Sequence, residues 1–182
     1  GPGHYPGTPL PGQAGNSGIA GHRTVASRRS DKYQSEVALE GEYLQLKVKG
    51  RADGYDPAQN CLEEVKTYRG DLSKQPANHR QLHWAQAKIY GWLMCRKLAL
   101  EQINLALVYF DIVSEKETCL TQRFEAAQLQ AFFEAQCALF LAWAEQDLDL
   151  QLCFGKGMLV LTVQRLLTKR AGGRDISGLS AY

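Results

Sequence analysis

Polar and apolar residues alternate most cleanly from Tyr43 to Gly50. Leu44, Leu46 and Val48 fall on one side of an extended chain and Gln45, Lys47 and Lys49 on the other, the period-two pattern of a half-buried strand. Ser35 to Leu39 alternates in the same way, and the acid-rich stretch Leu39-Glu40-Gly41-Glu42 between them is predicted to turn the chain as a hairpin. A turn-forming run, Asp56-Pro57-Ala58-Gln59-Asn60, then introduces a third extended run from Cys61 to Tyr68, completing an antiparallel meander of three strands. Ahead of the meander, Ile19, His22, Val25 and Ala26 recur at helical spacing and predict a short helix within Gly18 to Arg29.

The period changes after the meander. Leu82, Ala85, Ile89, Trp92, Leu93 and Leu98 recur near 3.6 residues, which predicts a long helix from Asn78 to Leu100. Ile103 to Val113 is too apolar and β-branched for a surface element and reads as a central strand buried on both faces. Arg123 to Gln146 carries Leu129, Phe132, Phe133, Leu139, Phe140 and Trp143, a second long helix, and the stretch CFGKGMLVLTVQRLLTKR offers one more before a Gly-rich tail. The fold class is therefore α/β with a mixed, α+β-type sheet, in the order helix, three-strand meander, helix, strand, helix. Residues 1–18, rich in Gly and Pro, are expected to be an arm, residues 19–147 the core, and residues 148–182 a C-terminal helix with a flexible tail.

Length and composition agree with one globular core: 182 residues, 45% hydrophobic and 22% charged, are neither disordered nor collagenous. The net charge of +2 conceals an uneven distribution. Residues 1–30 hold three Arg and no acid, residues 31–147 hold 13 bases against 17 acids, and residues 148–182 hold five against two. The basic ends, with Arg23, Arg28, Arg29, Lys156, Arg165, Lys169, Arg170 and Arg174, suit phosphate contacts or plain solubility. Cys61, Cys95, Cys119, Cys137 and Cys153 lie far apart with no close pair, as expected of reduced residues in a cytoplasmic protein. No apolar run reaches the ~18 residues of a membrane span, so no membrane partner is expected. The absence of a G-x-x-x-x-G-K-[ST] loop argues against ATP hydrolysis.

The sharpest chemistry lies in the meander. Asp53 in RADGYD is followed, ten residues later, by Glu64-Val65-Lys66 in LEEVKTY. Strand alternation puts Glu64 and Lys66 on one face and Val65 on the other, and an Asp at the end of the preceding strand can reach that face. Two carboxylates together suit a hard divalent cation, and a neighbouring Lys can orient or deprotonate an attacking water. Taken alone, the spacing also fits the solvated side of an edge strand.

These residues resemble the PD-(D/E)XK nucleases, and more closely their RecB-like branch, over about residues 18–146. The branch pattern is a His on the first helix, an Asp at the end of the second strand, E-x-K on the third and Q-x-x-x-Y on the next helix. Here His22 stands in GIAGH, Asp53 in GRADGYD, Glu64 and Lys66 in EEVK, and Gln86 and Tyr90 in WAQAKIYGW. The wording NHRQLHWAQAKIYGWL is also similar to the nuclease domain attached to DinG-like DNA helicases.

The resemblance implies a restriction-endonuclease-like core and hydrolysis of DNA phosphodiesters with Mg²⁺, Mn²⁺ being a possible substitute. It implies metal ligation by His22, Asp53, Glu64 and the Val65 carbonyl, a catalytic role for Asp53, Glu64 and Lys66, positioning of the DNA strand or of Lys66 by Gln86 and Tyr90, and a DNA helicase domain or subunit as partner in repair or recombination. Some members carry an iron–sulfur cluster on four Cys; Cys137 and Cys153 are too separated to supply the usual group, so none is expected.

Two alternatives stand beside this reading. The N-terminal stretch GPGHYPGTPLPGQAGNSGIAGHRT resembles the catalytic-His segment of sortases, for which His22 would serve a Cys nucleophile, and Glu117-Thr118-Cys119 with Arg123 is a poor match to the rest of that pattern. A fold kept for DNA binding without cleavage is the other.

Overall fold

In the computed structural model, residues 13–147, 157–168 and 180–181 are described. Strand β1 (Gln34–Tyr43) runs antiparallel to β2 (Leu46–Asp56), with Tyr43 opposite Leu46. The turn is therefore Leu44-Gln45, not the acid-rich stretch. Leu44 has φ of +50° and is exposed, while Gly41 lies inside β1 and is buried. A Cβ at Gly41 would collide with the Leu93 side chain, so this glycine lets a helix approach the strand and does not turn the chain.

Strand β3 (Cys61–Tyr68) follows the Asp56 to Asn60 turn as anticipated and pairs antiparallel with the end of β2. Strand β4 (Gln102–Asp111) lies parallel beside β3 and is buried on both faces, which explains its unbroken apolar run. The long helix α2 (Ala77–Leu98) connects them, the usual solution for two parallel neighbours.

Two strands depart from the expected order. Strand β5 (Glu117–Glu125) pairs antiparallel with β4 and occupies Arg123 and Phe124, which the periodicity assigns to a helix. It is an edge strand, mostly exposed, so its residues carry no period-two apolar signal. Helix α3 (Ala126–Ala144) starts just after it, where the Glu125 carboxylate accepts from the helix backbone and Gln128 Oε1 accepts from Glu125 N–H at 3.0 Å, a reciprocal cap.

The second departure is near the C-terminus. Leu159–Thr162 forms strand β6, parallel to β2, in place of the expected helix. Among the described residues of this stretch Val163–Leu167 is helical, as α4, with the Thr162 hydroxyl accepting from Arg165 N–H at 3.0 Å. A two-residue strand, β7 (Ser180–Ala181), pairs with β6. The expected arm before residue 13 and most of the Gly-rich tail lie outside the described residues; within the arm, Gln13 onward already belongs to helix α1 (Gln13–Ser27).

The result is one mixed α/β sheet in the order β5-β4-β3-β2-β6-β7, with β1 on the remaining edge of β2. Helix α1 covers one face over Val65, Ala106, Val108 and Phe110, with Val25 between them. Helices α2 and α3 cover the other over Leu46, Val48, Leu62, Leu105, Leu107 and Tyr109. Among the described residues no helix is long and apolar enough to cross a membrane.

Candidate functional site

Strand β2 has two edges and three partners. Strand β1 takes one edge over nearly the whole length. The other is divided: β6 pairs with Leu46–Lys49, and β3 pairs only with Gly54–Asp56. Between these ladders β2 separates from β3, and the backbone there must find other partners. Val65 N–H does so by donating to Asp53 Oδ2 at 2.7 Å. Asp53 sits at this split, inside β2 and not at its end. Across β2 from Asp53 the β1 pairing skips Glu36, whose φ of +52° lies in the left-handed region. Such backbone is costly for a non-glycine residue within a strand.

The other carboxylate oxygen, Asp53 Oδ1, lies 3.4 Å from His22 Nδ1. His22 comes from α1, a helix that sits close to the sheet because Gly21 packs on Thr67 and Phe110. The hydrogen bond to Asp53 holds the His22 imidazole above its ordinary pKa, against the opposing effect of burial.

Strand alternation places Glu64 and Lys66 side by side, with Lys66 Nζ 3.2 Å from Glu64 Oε1. Glu64 is 6% exposed, and its Oε2 has no hydrogen-bond partner among the described residues. Burial, reinforced by the negative charge of Asp53 and opposed by Lys66, raises its pKa to about 7. Helix α2 closes this face. Tyr90 rests on Gly50, where a Cβ would stand 2.7 Å from its hydroxyl. Burial, Glu64 and Asp53 all raise its phenol pKa. One turn earlier, Gln86 is buried and its Oε1 also lacks a partner among the described residues.

The structure thus joins His22 to Asp53, Asp53 to Val65, and Glu64 to Lys66, and puts Tyr90 within electrostatic range of both acids. The Val65 carbonyl leaves the strand on the same edge as its N–H, toward the split. Gln86 shares the helix but makes no hydrogen bond to the others. Among the described residues no three His, Cys, Asp or Glu side chains are gathered tightly enough to hold a metal, so His22, Asp53 and Glu64 do not form a closed cage as they stand. The donor types nevertheless suit a hard cation. Glu64 keeps a buried oxygen without a donor among the described residues while Asp53 acts on it electrostatically, a combination of oxygen donors that a cation would complete.

Two groups at the site are not evident from the motif. His83 Nδ1 lies 2.9 Å from Tyr109 Oη, and burial together with the Lys66 charge lowers its pKa to about 4, so it is neutral at pH 7. It stands three residues before Gln86, the spacing that marks a shared helix face. The other is an ion-pair ladder. Glu63, directly before Glu64, does not face solvent. It is gripped by Arg29 through Nε–Oε1 and Nη2–Oε2, both 2.8 Å, and Arg29 Nη2 also reaches Glu117 Oε1 at 2.7 Å.

That ladder fastens the end of α1, and with it His22, to β3 and β5. Arg28 contributes through Glu117 Oε2 at 3.0 Å. Arg28 and Arg29 are thus engaged within the protein. Arg23 is exposed, the Arg165 guanidinium lies 5.4 Å from the Trp143 ring centre, and Lys156, Lys169, Arg170 and Arg174 are outside the described residues. Arg29→Met, which leaves the Glu63 carboxylate without its fork, is expected to cost about 2 kcal/mol in urea unfolding. The pair is partly exposed, which keeps this below the range for fully buried pairs. A loss within experimental error would make the ladder an incidental surface pair.

Among the described residues the expected transpeptidase pairing of His22 with Cys119 is not formed. Cys119 is exposed on β5, burial and Glu117 push its thiol pKa up, and His22 is turned to Asp53. An activated thiol has its pKa moved the other way.

No family model and no curated protein matches the chain. A crystal structure of SSO0001 is similar at a TM-score of 0.46 and 21% identity, covering 69% of this chain and 60% of that one. A likeness at that level carries no argument about function.

Proposed function

We propose that the chain is a divalent-metal-dependent DNA nuclease, and that the split between β2 and β3 is its active site. The observation that carries this reading is a buried Glu64 oxygen that lacks a partner among the described residues, in a carboxylate that pairs with Lys66 and feels the charge of Asp53. A sheet interior seldom leaves such a group unsatisfied unless a ligand completes it.

Phosphodiester hydrolysis joins a water oxygen to phosphorus and breaks the bond to the leaving sugar oxygen. When bound, Mg²⁺ or Mn²⁺ supplies electrophilic polarisation of the phosphate, and Asp53, Glu64, His22 and the Val65 carbonyl are the groups that would hold it. Asp53 is held in place by Val65 N–H and His22. Lys66 opposes by its charge the rise in the Glu64 pKa, orients the attacking water and donates hydrogen bonds to the phosphate oxygens as charge grows on them; the water gives its proton to solvent and the leaving sugar oxygen takes one up. Tyr90 and Gln86 wall the site on the α2 side and restrict how a strand lies across it. A helicase domain or subunit and a cytoplasmic setting belong to this same reading.

The test is incubation of the full chain with single- and double-stranded DNA in Mg²⁺, Mn²⁺ or EDTA. Metal-dependent loss of intact strands is expected; intact DNA under every condition sinks the proposal. Binding that shifts DNA in a gel without ever cutting it would leave the non-cleaving module instead.

A further inference from the structure

The charge map looks different once the fold is known. The acidic middle of the chain contains a stretch from Leu72 to Leu100 with no acid at all. Helix α2 carries Arg80, Lys88, Arg96 and Lys97 along with His79 and His83. At its start, between the helix and the short 3₁₀ turn Leu72–Lys74, an open groove of about 730 Å³ is lined by Leu72, Gln75, Arg80, Gln81 and Trp84, among others.

Three features of the groove point to one class of occupant. Arg80 and Trp84, four residues apart, bring a basic and an aromatic side chain together on one stripe of α2 against the groove; Lys88, one turn further, lies outside the lining with its ammonium over the Phe124 and Phe132 rings at 5.5 and 5.1 Å. Trp84 is half-buried, with Phe124 bracing it at 6.4 Å between ring centres. Gln75, also half-buried, has a side-chain carbonyl oxygen without a partner among the described residues, and Gln81 adds an exposed amide. The groove also connects with the site: the Arg80 guanidinium lies 5.7 Å from the centre of the Tyr109 ring, whose hydroxyl meets His83.

We infer that this groove is a subsite for an unpaired nucleobase of single-stranded nucleic acid, stacked on Trp84, with Arg80 beside its phosphate. The chemistry is that of strand binding in general: an aromatic platform any base can use, a cationic side that tracks the backbone, and amides that meet base edges without strong preference. A duplex keeps its bases stacked inside and has none to offer, so the groove selects for single strands or frayed ends. The inference rests on the nuclease reading and adds to it the form of the substrate.

The test uses the full chain in EDTA, so that binding is measured without cleavage. Fluorescence anisotropy compares a short oligothymidylate with an abasic oligomer of the same length and charge. Wild type is expected to prefer the thymidylate by about tenfold, the value of one stacked base. Trp84→Leu is expected to reduce thymidylate affinity to the abasic level and leave duplex affinity unchanged, and Trp84→Phe to retain the preference.

Equal affinity of wild type for the two oligomers overturns the inference, as does a folded Trp84→Leu protein that keeps the preference. Should Trp84→Leu not fold, the wild-type comparison decides alone. A protein that shows the thymidylate preference and its loss in Trp84→Leu, yet never cuts DNA in Mg²⁺, removes the nuclease reading and leaves the groove. One that cuts DNA with no thymidylate preference does the opposite.

Discussion

Lys66→Ala is expected to lower metal-dependent DNA cleavage by about 10²-fold or more, the loss typical when a group aimed at developing charge is removed. Two effects contribute. The variant lacks the ammonium protons that serve water and phosphate, and it also lacks the cation 3.2 Å from Glu64 Oε1. Glu64 already has its pKa raised to about 7 by burial and Asp53, with Lys66 opposing them. Without Lys66 the carboxyl rises further and is mostly protonated at neutral pH, when it cannot hold a cation. The residual activity should therefore recover as pH increases, with its pH–rate limb displaced to the alkaline side of wild type. An equal rate in the variant, or an unmoved limb, would show that Lys66 has no part in the chemistry. Its melting curve in EDTA should remain cooperative, since the side chain is partly exposed.

Glu64→Gln should separate stability from activity. The raised pKa means that the folded protein binds a proton at Glu64 more tightly than the unfolded chain. Its contribution to stability is complete below the ordinary carboxylate value of about 4.5 and is lost as pH climbs through about 7. At pH 7.5 without metal, the wild type therefore carries a buried, poorly compensated carboxylate.

An isosteric amide removes that burden, and about 2–3 kcal/mol of added stability is expected, because each tenfold difference in proton affinity between folded and unfolded chain is worth about 1.4 kcal/mol. Below pH 4.5 the two proteins should melt alike. Cleavage should fall to background, and addition of Mg²⁺ should raise the melting temperature of wild type but not of the variant. Thermal scans across pH, with and without the cation, check all three; a variant less stable than wild type at neutral pH would contradict the buried-charge account. Trading stability for function in this way is common at active sites.

Much of the site was legible because its residues lie on a strand whose ends are marked by turn residues. Cys61 to Tyr68 is bounded before by Asp56-Pro57 and extends over the span observed, and alternation then fixes which side chains share a face. Strand β4 was legible for the same local reason. The errors share a cause as well, since they fall where a residue's role is set by something distant in sequence. Gly41 reads as a turn but serves the approach of Leu93. Strand β5 has one uncovered edge and little apolar patterning. Leu159–Thr162 becomes a strand only because the free edge of Leu46–Lys49 is there to receive it. The opening of β2 from β3 was invisible from the motif, because it depends on which strand occupies which part of one edge. Arg29, which the charge distribution suits to a phosphate contact or plain solubility, instead pairs with Glu63 and Glu117.

Strand β6 has an effect beyond its four residues. It holds the first part of the edge of β2 that β3 shares only at Gly54–Asp56, and in the stretch between them Asp53 Oδ2 takes the Val65 N–H. Residues beyond 147 thus complete the sheet beside the candidate residues 53–66. A fragment ending after α3 would retain every motif residue, yet leave Leu46 and Val48 on a bare sheet margin, free to recruit a neighbouring molecule or to anneal onto β3. The candidate residues and one border of the split beside them come from segments about a hundred residues apart in the chain.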